Sequence, residues 1–344
     1  MRAYHLETFG TIEGIVLRDD GGPCPAPAGP TGIVVRVRAA SLNKRDLLIL
    51  HERYPLPGAP GVVPLSDGAG EVVAVGEAVT RFAVGDRVSC AYFPRWRDGR
   101  ITAALVDQPG CTLDGMLAEY AVLDEEWAVR VPDHLTWEEA ATLPCAAVTA
   151  WNALTGGEGG PPLPGRSVLT LGTGPVALFA VQFAKMLGCR VVSTTSSEEK
   201  ADRLKALGAD AVVNYLRTPE WGSEVRELTG GAGADLVVET GGPDTIDQSV
   251  RASSLYGQIS LLITASASKP GIEISHAAYA ASLATIRRVF VGSRTQFESM
   301  NSAITAHGLH PVIGRVHPFE EAHAAYHGYA RDAPFGKVVI RMEH

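Results

Sequence analysis

The sequence predicts an α/β protein with two domains, a doubly wound parallel sheet and a β-rich domain of barrel-like character. Between residues 167 and 291, apolar segments of strand length alternate with segments of helix length, which is typical of a parallel sheet covered by helices on both faces. Before residue 143, short strands are separated by glycines 68, 70, 76 and 85, as expected for a compact barrel-like domain.

The composition supports a globular chain and excludes several classes of protein. The chain has 344 residues, of which 46% are hydrophobic and 20% charged, enough for two domains with cores of their own. A net charge of −8 argues against a nucleic-acid partner, because such proteins concentrate Lys and Arg. The longest charge-free stretch, residues 167–184, contains Gly172, Gly174 and Pro175, so it predicts a strand, a turn and a helix rather than a membrane span.

Cysteine usage favours a cytoplasmic location. The five cysteines are odd in number, widely scattered and without CxxC spacing, so a disulfide framework is not expected. The first residues also lack the apolar core of a signal peptide.

The β-rich part begins with a strand over residues 32–39, where apolar and polar residues alternate. A second strand spans 70–76, and residues 85–88 form a turn that leads into a third strand. The tail after residue 297 returns to a helix and then a strand over 337–342, and we expect it to pack back on this domain.

The α/β part opens with a helix of small residues over 146–154 and a loop rich in glycine and proline. The predicted strands that follow are 167–171, 190–194, 211–214, 236–239, 258–262 and 289–291. The predicted helices between them are 176–187, 198–207, 220–228 and 245–252.

A glycine turn follows the first of these strands and predicts a dinucleotide site. The run Gly172-Thr173-Gly174-Pro175-Val176-Ala177 has the G-x-G-x-x-A pattern between an apolar strand and an apolar helix. The first glycine allows a tight turn, the second lets the backbone approach a pyrophosphate, and the alanine lets the helix pack closely. The helix N-terminus then offers unpaired N–H groups to the anion.

The end of the second strand favours NADP(H) over NAD. An NAD site places a carboxylate there for the ribose 2′-hydroxyl. This chain instead reads Thr195-Ser196-Ser197, with Lys200 about one helical turn further on. The alternative for Lys200 is a solvated helix face, and Glu198 and Glu199 dilute its positive field.

The sequence resembles the medium-chain dehydrogenase/reductase superfamily over nearly its whole length. The segments that carry the resemblance are the glycine turn, Ala40-Ser41-Leu42-Asn43-Lys44-Arg45-Asp46, Gly68-Ala69-Gly70-Glu71-Val72-Val73-Ala74-Val75-Gly76, Phe82-Ala83-Val84-Gly85-Asp86-Arg87-Val88, Leu143-Pro144-Cys145-Ala146-Ala147-Val148-Thr149-Ala150-Trp151 and Gly336-Lys337-Val338-Val339. The resemblance implies a GroES-like catalytic domain over 1–146 with 295–344, and a Rossmann cofactor domain over 147–294.

The resemblance points to a branch without catalytic zinc, similar to quinone oxidoreductases. The zinc branch has Cys where this chain has Asn43 and His-Glu where it has Ser66-Asp67, so only Cys145 matches a ligand. One thiolate cannot form the three-ligand open site of catalytic zinc. The stretch 92–114 replaces the structural zinc lobe but holds only Cys111, and we expect it to be a solvated loop. His323 and His327 are spaced i,i+4 and are expected to be an exposed pair, not metal ligands.

Without zinc, hydride addition to a conjugated acceptor is easier than reduction of a simple ketone, because ordinary hydrogen bonds can hold the delocalised charge. The leading hypothesis is therefore NADPH-dependent reduction of an enone, enal or quinone. The candidate catalytic residues are Asn43, Tyr54 and Asp67. The Asn43 amide is expected to bind the substrate oxygen or the nicotinamide ribose, Tyr54 to donate to an enolate oxygen, and Asp67 to orient Arg45 or the backbone.

The resemblance also implies cofactor contacts and a homodimer. Thr149 is matched to the nicotinamide half of the cofactor and Tyr215 to the 2′-phosphate. Further candidates lie at strand ends, where ligands bind in open α/β sheets, and are Thr240, Gly241, Ile263, Thr264, Gly292, Ser293 and Arg294. The segment 289–291 is the expected edge strand of the dimer.

Two other functions remain open from the sequence. One is a zinc-independent NAD(P)-dependent alcohol dehydrogenase or carbonyl reductase. The other is a protein that holds NADPH without turnover, which the net charge of −8 disfavours in its nucleic-acid-binding form.

Overall fold

The computed structural model describes residues 1–19, 21–157, 159–264, 268–332 and 334–343. The chain divides into two compact units, Met1–Val148 with Gly292–His344, and Thr149–Val291. The predicted boundaries lie two residues before the first junction and three residues after the second. Within the described ranges, no helix combines the length and the apolar character needed to cross a bilayer.

The secondary structure alternates between strands and helices along most of the chain. The strands are β1 (Arg2–Leu6), β2 (Ile15–Asp19), β3 (Gly32–Ser41), β4 (Asp67–Val75), β5 (Arg87–Cys90), β6 (Tyr120–Asp124), β7 (Ala128–Arg130), β8 (Ser167–Leu171), β9 (Arg190–Thr195), β10 (Ala211–Asn214), β11 (Ala234–Glu239), β12 (Ser253–Leu261), β13 (Thr285–Arg288), β14 (Ile313–Pro318) and β15 (Lys337–Arg341). The α-helices are α1 (Lys44–Leu50), α2 (Trp137–Ala140), α3 (Val148–Thr155), α4 (Pro175–Met186), α5 (Glu198–Ala206), α6 (Trp221–Leu228), α7 (Ile246–Ala252), α8 (His276–Ser282), α9 (Arg294–His307) and α10 (Ala322–Asp332).

The second unit is a doubly wound parallel sheet, as the sequence predicted. Its strand order is β10-β9-β8-β11-β12-β13, and every pairing in it is parallel. The order reverses between β8 and β11, so the carboxyl ends of these two strands border the crevice where ligands bind in such sheets. This is the Rossmann topology.

The last strand of this sheet differs from the prediction. Residues 289–291 were expected to form it, but β13 ends at Arg288. The backbone of Val291 takes a φ of 52°, and its carbonyl accepts a hydrogen bond from Asn152 Nδ2 at 2.6 Å. The apolar run therefore leaves the sheet, while β13 lies at the sheet edge, where its end residues Thr285 and Arg288 are exposed.

The first unit is built on a seven-stranded sheet with the order β14-β15-β3-β4-β5-β7, and β6 also pairs with β3. β3 reaches three partners because β4 pairs along one of its edges, with register shifts at Val34/Val35 and Val37/Ala39, whereas β6 and β15 share the other edge. β15, near the C-terminal end of the chain, pairs in antiparallel fashion with β3 over Val339–Arg341. This unit corresponds to the predicted GroES-like domain, and the C-terminal tail completes it.

The segment 92–114 is not a wholly solvated loop, as the sequence had suggested. Trp96 is only 7% exposed, its ring packs edge-on against Phe93, and its indole N–H donates to Gly99 O at 3.0 Å. Arg95 is exposed and pairs with Asp107 at 2.9 Å. The aromatic residues of the segment thus form a small core, while its charged residues face solvent.

Candidate functional site

The glycine turn after β8 has the geometry of a phosphate cradle. Gly172 has a φ of 75°, a left-handed conformation that L side chains rarely adopt, and its N–H donates to Thr194 O at 3.0 Å. Thr173 separates it from Gly174, which is the N-cap of α4 and makes no side-chain cap bond, and Pro175 occupies the first helical position. The first turn of α4, which includes Val176, therefore retains unpaired N–H groups.

Gly174 shows that the turn fits a bound group. Its φ of −70° suits any residue, and a Cβ built there meets no protein atom within 4 Å. Neither backbone conformation nor packing within the described chain therefore requires glycine at this position. A side chain at Gly174 would project into the open space at the N-terminus of α4, and a pyrophosphate is the anion that a turn of this kind accepts.

The residues after β9 present hydroxyl groups and no carboxylate before α5 begins. Thr195 is buried, and Ser196 is exposed. Ser197 is the N-cap of α5 and accepts a hydrogen bond from Lys200 N at 3.4 Å. The nearest carboxylate, Glu198, is held by Asn214 Nδ2 at 2.7 Å and Arg217 at 3.1 Å. Tyr215, which follows β10, is 39% exposed.

A buried carboxylate organises the loop after β11, and the sequence analysis gave it no role. Glu239 is 0% exposed, and its Oε1 accepts hydrogen bonds from the N–H of Gly241 at 2.6 Å and of Gly242 at 2.9 Å. Its other oxygen accepts from the Ser249 hydroxyl. Burial raises the pKa of Glu239, although these hydrogen bonds oppose the shift. The Thr240 hydroxyl donates to Leu171 O at 2.7 Å, which ties this loop to the end of β8.

The remaining candidate cofactor residues are divided between the two units. In the second unit, Thr149 is buried near the start of α3, and Ile263 and Thr264 follow β12 at the carboxyl edge of the sheet. Gly292, Ser293 and Arg294 belong to the first unit, not to the cofactor domain as predicted.

Local contacts already use the side chains of Ser293 and Arg294. Ser293 caps α9 and accepts a hydrogen bond from Gln296 N at 3.3 Å. Arg294 is 5% exposed and pairs with Glu126 at 2.7 Å. Arg294 is therefore neither a surface cation nor a free ligand for a phosphate.

A buried ammonium group lies at the centre of the polar residues of the first unit. Lys337, the first residue of β15, is 0% exposed. Its Nζ donates to Leu42 O at 2.8 Å, Asn43 Oδ1 at 2.7 Å and Asp67 Oδ2 at 3.3 Å. Each of the three ammonium hydrogens thus has an acceptor, as a buried cation requires.

Asp67 pairs with Lys337 and not with Arg45, one of the partners expected from the sequence. Its Oδ1 accepts from the Ser66 hydroxyl at 2.7 Å, and its Oδ2 accepts from Cys145 N at 3.3 Å. Arg45 pairs instead with Asp46 at 3.3 Å. Burial raises the pKa of Asp46 to about 6, although Arg45 opposes the shift.

Asn43 has an amide group with one side satisfied and one side free. The residue is 7% exposed, its backbone N–H donates to Asp46 Oδ2 at 2.7 Å, and its Oδ1 accepts from Lys337. Its Nδ2 has no hydrogen-bond partner among the described residues. A buried donor without an acceptor is unfavourable in a folded protein, which makes Nδ2 a candidate donor to the oxygen of a ligand.

The Tyr54 hydroxyl belongs to a chain of hydrogen bonds. It lies 2.8 Å from the Tyr92 hydroxyl and 2.9 Å from Gln108 Oε1, which also accepts from Arg45 at 3.3 Å. Because Gln108 Oε1 can only accept, Tyr54 donates to it and Tyr92 donates to Tyr54. Burial raises the pKa of both phenols. The Tyr54 proton is thus already engaged within the protein.

The residues at the expected catalytic zinc position do not fit a metal. Among the described residues, no three His, Cys, Asp or Glu side chains are grouped closely enough to hold an ion. Asn43 and Asp67 face the Lys337 ammonium, and burial, followed by the Asp67 carboxylate, raises the pKa of the Cys145 thiol, which keeps it protonated. The ring nitrogens of His323 and His327 contact Ile15 O at 2.6 Å and Glu13 at 3.2 Å.

Sequence reasoning assigned no site role to four residues of the first unit, which are Lys337, Asp46, Tyr92 and Gln108. The sequence nevertheless contains a local signal for some of them. A lysine at the start of an apolar strand, as in Lys337-Val338-Val339-Ile340, requires a buried acidic partner. Asp46 also had a local signal, because it lies three residues after Asn43 and the two form the capping box of α1. No comparable signal identifies Tyr92 or Gln108, because their partners are distant in the chain.

Two family models match the chain. The model described as alcohol dehydrogenase GroES-like domain matches residues 29–133, and the model described as zinc-binding dehydrogenase matches residues 175–306.

Among curated proteins, the chain is 42% identical over 322 residues to a zinc-type alcohol dehydrogenase-like protein of Schizosaccharomyces pombe, with 93% of each chain covered. It is 34% identical over 256 residues to a quinone oxidoreductase of Pseudomonas aeruginosa, covering 73% of this chain and 70% of the other.

Solved structures similar to the chain include enzymes described with different cofactors. An NAD-dependent alcohol dehydrogenase superposes with a TM-score of 0.86 and 33% identity over 100% of both chains. A mycobacterial protein complexed with NADPH superposes with a TM-score of 0.78 and 27% identity, over 99% of this chain and 100% of the other.

We expect Gly174→Ser to weaken NADPH binding without destabilising the protein. Serine is a favoured N-cap residue, and the open space around Gly174 accommodates its side chain, so the melting temperature of the free protein should stay constant or rise. The same side chain occupies the cradle and should raise the Kd for NADPH at least about tenfold, as measured by nucleotide fluorescence.

Gly22→Ser is the matched control, because Gly22 is also exposed and also has no atom within 4 Å of its built Cβ. An unchanged Kd in Gly174→Ser would contradict the assignment of this turn to the cofactor.

Proposed function

Because the chain belongs to the medium-chain dehydrogenase/reductase superfamily, we propose that it is an NADPH-dependent oxidoreductase that reduces a conjugated carbonyl compound or a quinone without catalytic zinc. The observation that carries this proposal is the Lys337 ammonium group, which donates hydrogen bonds to Asn43 Oδ1 at 2.7 Å and to Asp67 Oδ2 at 3.3 Å. A cation already occupies the position that a zinc ligand set would need.

The substrate class follows from the donors that remain. Zinc can hold the concentrated charge of an alkoxide, whereas a neutral amide hydrogen bond is much weaker as an electrophile. An enone, enal or quinone spreads the developing charge over several atoms. We therefore assign to Asn43 Nδ2 the donation of a hydrogen bond to the substrate oxygen. The quinone oxidoreductase among the relatives supports this substrate class.

NADPH, when bound, supplies the hydride. We assign its pyrophosphate to the turn at Gly172–Gly174 and the N-terminus of α4, where Gly174 leaves open space. The loop that Glu239 holds, with Thr240 and Gly241, lies at the carboxyl edge of the same sheet and completes this proposed site. Ser196, Lys200 and Tyr215 are proposed to face the 2′-phosphate.

Preference for NADPH over NADH is a proposal that rests on the end of β9. No carboxylate follows that strand before α5, and Asn214 and Arg217 hold Glu198. A carboxylate next to the 2′-phosphate would be repelled, whereas hydroxyl groups and Lys200 can accept it. The similar solved structures include an NAD-dependent alcohol dehydrogenase as well as a protein complexed with NADPH.

We assign the proton to solvent, not to Tyr54. The Tyr54 hydroxyl donates to Gln108, and partial burial raises its pKa, so release of its proton would break an internal hydrogen bond and leave a partly buried phenolate. The role we propose for Tyr54 is to keep the Gln108 amide in place.

Homodimerisation and a cytoplasmic location are further proposals. Within the described residues, β13 pairs only with β12, so its other edge is free to pair with a second copy. All five cysteines are free thiols, which suits a reducing compartment.

We expect the protein to oxidise NADPH with cyclohexenone or benzoquinone, and not with cyclohexanone. Measured as kcat/KM with absorbance detection, NADPH should exceed NADH at least about tenfold. A blank without enzyme corrects for direct reduction of the quinone. Turnover confined to cyclohexanone and simple alcohols would favour the alcohol dehydrogenase alternative, and tight NADPH binding without turnover would favour the binding-protein alternative.

We expect activity to survive metal removal, because Asn43 and Lys337 replace zinc in the proposed mechanism. Protein dialysed against phenanthroline should retain its kcat, and elemental analysis before dialysis should find much less than one zinc per chain. One equivalent of zinc whose removal abolishes turnover would refute the zinc-free proposal.

We expect Tyr54→Phe to retain most of its kcat, because the phenol proton is engaged with Gln108. The loss should stay well below the ~100-fold or more that removal of a general acid costs. Melting temperatures show whether the variant remains folded. A loss of that size in a stable variant would show that the Tyr54 phenol, and not solvent, supplies the proton.

A further inference from the structure

The amide of Asn43 can satisfy its surroundings in only one orientation, and Lys337 determines which. An ammonium group donates and cannot accept, so the amide must turn its oxygen toward Nζ, at 2.7 Å. Its NH₂ group therefore points away from the lysine. With the oxygen and nitrogen exchanged, two sets of N–H hydrogens would face each other in a buried site.

The NH₂ group of Asn43 has nothing to bind within the described chain. Nδ2 is one of the buried side-chain nitrogens without a hydrogen-bond partner, and the whole residue is 7% exposed. An ammonium held against Oδ1 also draws electron density from the amide, which makes the Nδ2 hydrogens better donors. The lysine thus both orients and strengthens the free donor.

The position of Lys337 is itself well determined. The residue is 0% exposed and starts β15, and its Nζ is held by Leu42 O at 2.8 Å and by Asp67 at 3.3 Å in addition to Asn43. Asp67 is held in turn by Ser66 and the backbone of Cys145. Because every partner is fixed, the ammonium has little freedom to move away from the amide.

We propose that Lys337 is a positioning residue that fixes and polarises the Asn43 amide, so that Nδ2 donates to the oxygen of the substrate. This inference rests on the proposed function, because it presumes that the substrate carries a carbonyl or quinone oxygen. It assigns to Lys337 a role beyond neutralising Asp67. A purely structural ion pair would stabilise the fold in the same way but would not act through Asn43.

Removal of Lys337 alone would leave the Asp67 carboxylate buried without a cation, and such a protein is expected to unfold. The test therefore uses the charge-balanced variant D67N/K337M, in which neither a charge nor a large cavity is left. It is made in two backgrounds, with Asn43 present and with N43A. The melting temperature of each variant and its Kd for NADPH are recorded as controls for folding and cofactor binding.

If Lys337 acts through Asn43, D67N/K337M should lower kcat for cyclohexenone roughly 10- to 100-fold, the cost found for outer-shell partners of metal ligands. In the N43A background the same pair of substitutions should change kcat by less than about threefold, because the amide that Lys337 orients is absent. The Kd for NADPH should be unchanged throughout. Equal losses in both backgrounds, or no loss in a folded D67N/K337M protein, would overturn the inference.

A second measurement uses the unmodified protein. The side-chain amide signals of Asn43, assigned by their loss in N43A, are followed by NMR in the complex with NADP⁺ while cyclohexenone is added. NADP⁺ cannot reduce the enone, so the complex is stable. A downfield shift of the Asn43 NH₂ signals is expected, and signals that do not respond would overturn the inference even if the variants failed to fold.

The proposed function and this inference fail in distinguishable ways. If the wild-type protein turns over cyclohexenone but the two backgrounds respond alike, only the role of Lys337 is refuted. If the wild-type protein turns over only cyclohexanone or alcohols, the enone proposal fails, and the same variants are compared with cyclohexanone. If no carbonyl or quinone probe is reduced, both are refuted.

Discussion

The polar centre of the first unit depends on the burial of one positive charge. Lys337 is completely inaccessible to solvent, so the fold must supply three acceptors and a counter-charge for its ammonium group. These come from the residue after β3, the residue before α1 and the start of β4, and the lysine thereby joins these three segments to β15. The arrangement of Asn43 and Asp67 follows from this requirement.

The network extends from the lysine as alternating charges and amides. Asp46 accepts from the Asn43 backbone and pairs with Arg45, and Arg45 in turn holds the oxygen of Gln108. In both amide side chains, Asn43 and Gln108, a buried cation binds the oxygen, and the nitrogen has no hydrogen-bond partner among the described residues. Two carboxylates and two cations balance, so the interior carries free hydrogen-bond donors without a net charge. This differs from a metal centre, where one ion supplies both the charge and the electrophile.

Local patterns in the sequence were sufficient to predict the glycine turn and the elements on either side of it. The glycine turn, its flanking strand and its flanking helix are contiguous, and the structure has β8 at Ser167–Leu171 as predicted. The prediction of a strand at 289–291 was wrong, because an apolar run has no property that separates a buried strand from a buried irregular segment. The boundary at Arg294 was also misplaced, since the cap formed by Ser293 starts a helix of the other unit.

The catalytic candidates could be predicted only in part from the sequence. Asn43 and Asp67 were selected by their place in a family motif, but the residue that joins them is about three hundred positions away, and no periodicity links such positions. The bond between Tyr54 and Gln108 likewise depends on how an irregular segment folds. Contacts of this kind arise from tertiary packing, which hydrophobic patterns do not encode.

The interrupted first unit also has a consequence for biosynthesis. The second unit is continuous, from Thr149 to Val291, whereas the first needs β15 to pair with β3. On the ribosome, the second unit can therefore reach its native state before β15 has been synthesised, whereas the first unit cannot, which reverses the usual N-to-C order. A nascent chain released before residue 337 would contain the complete dinucleotide fold and still lack the ammonium on which Asn43 depends.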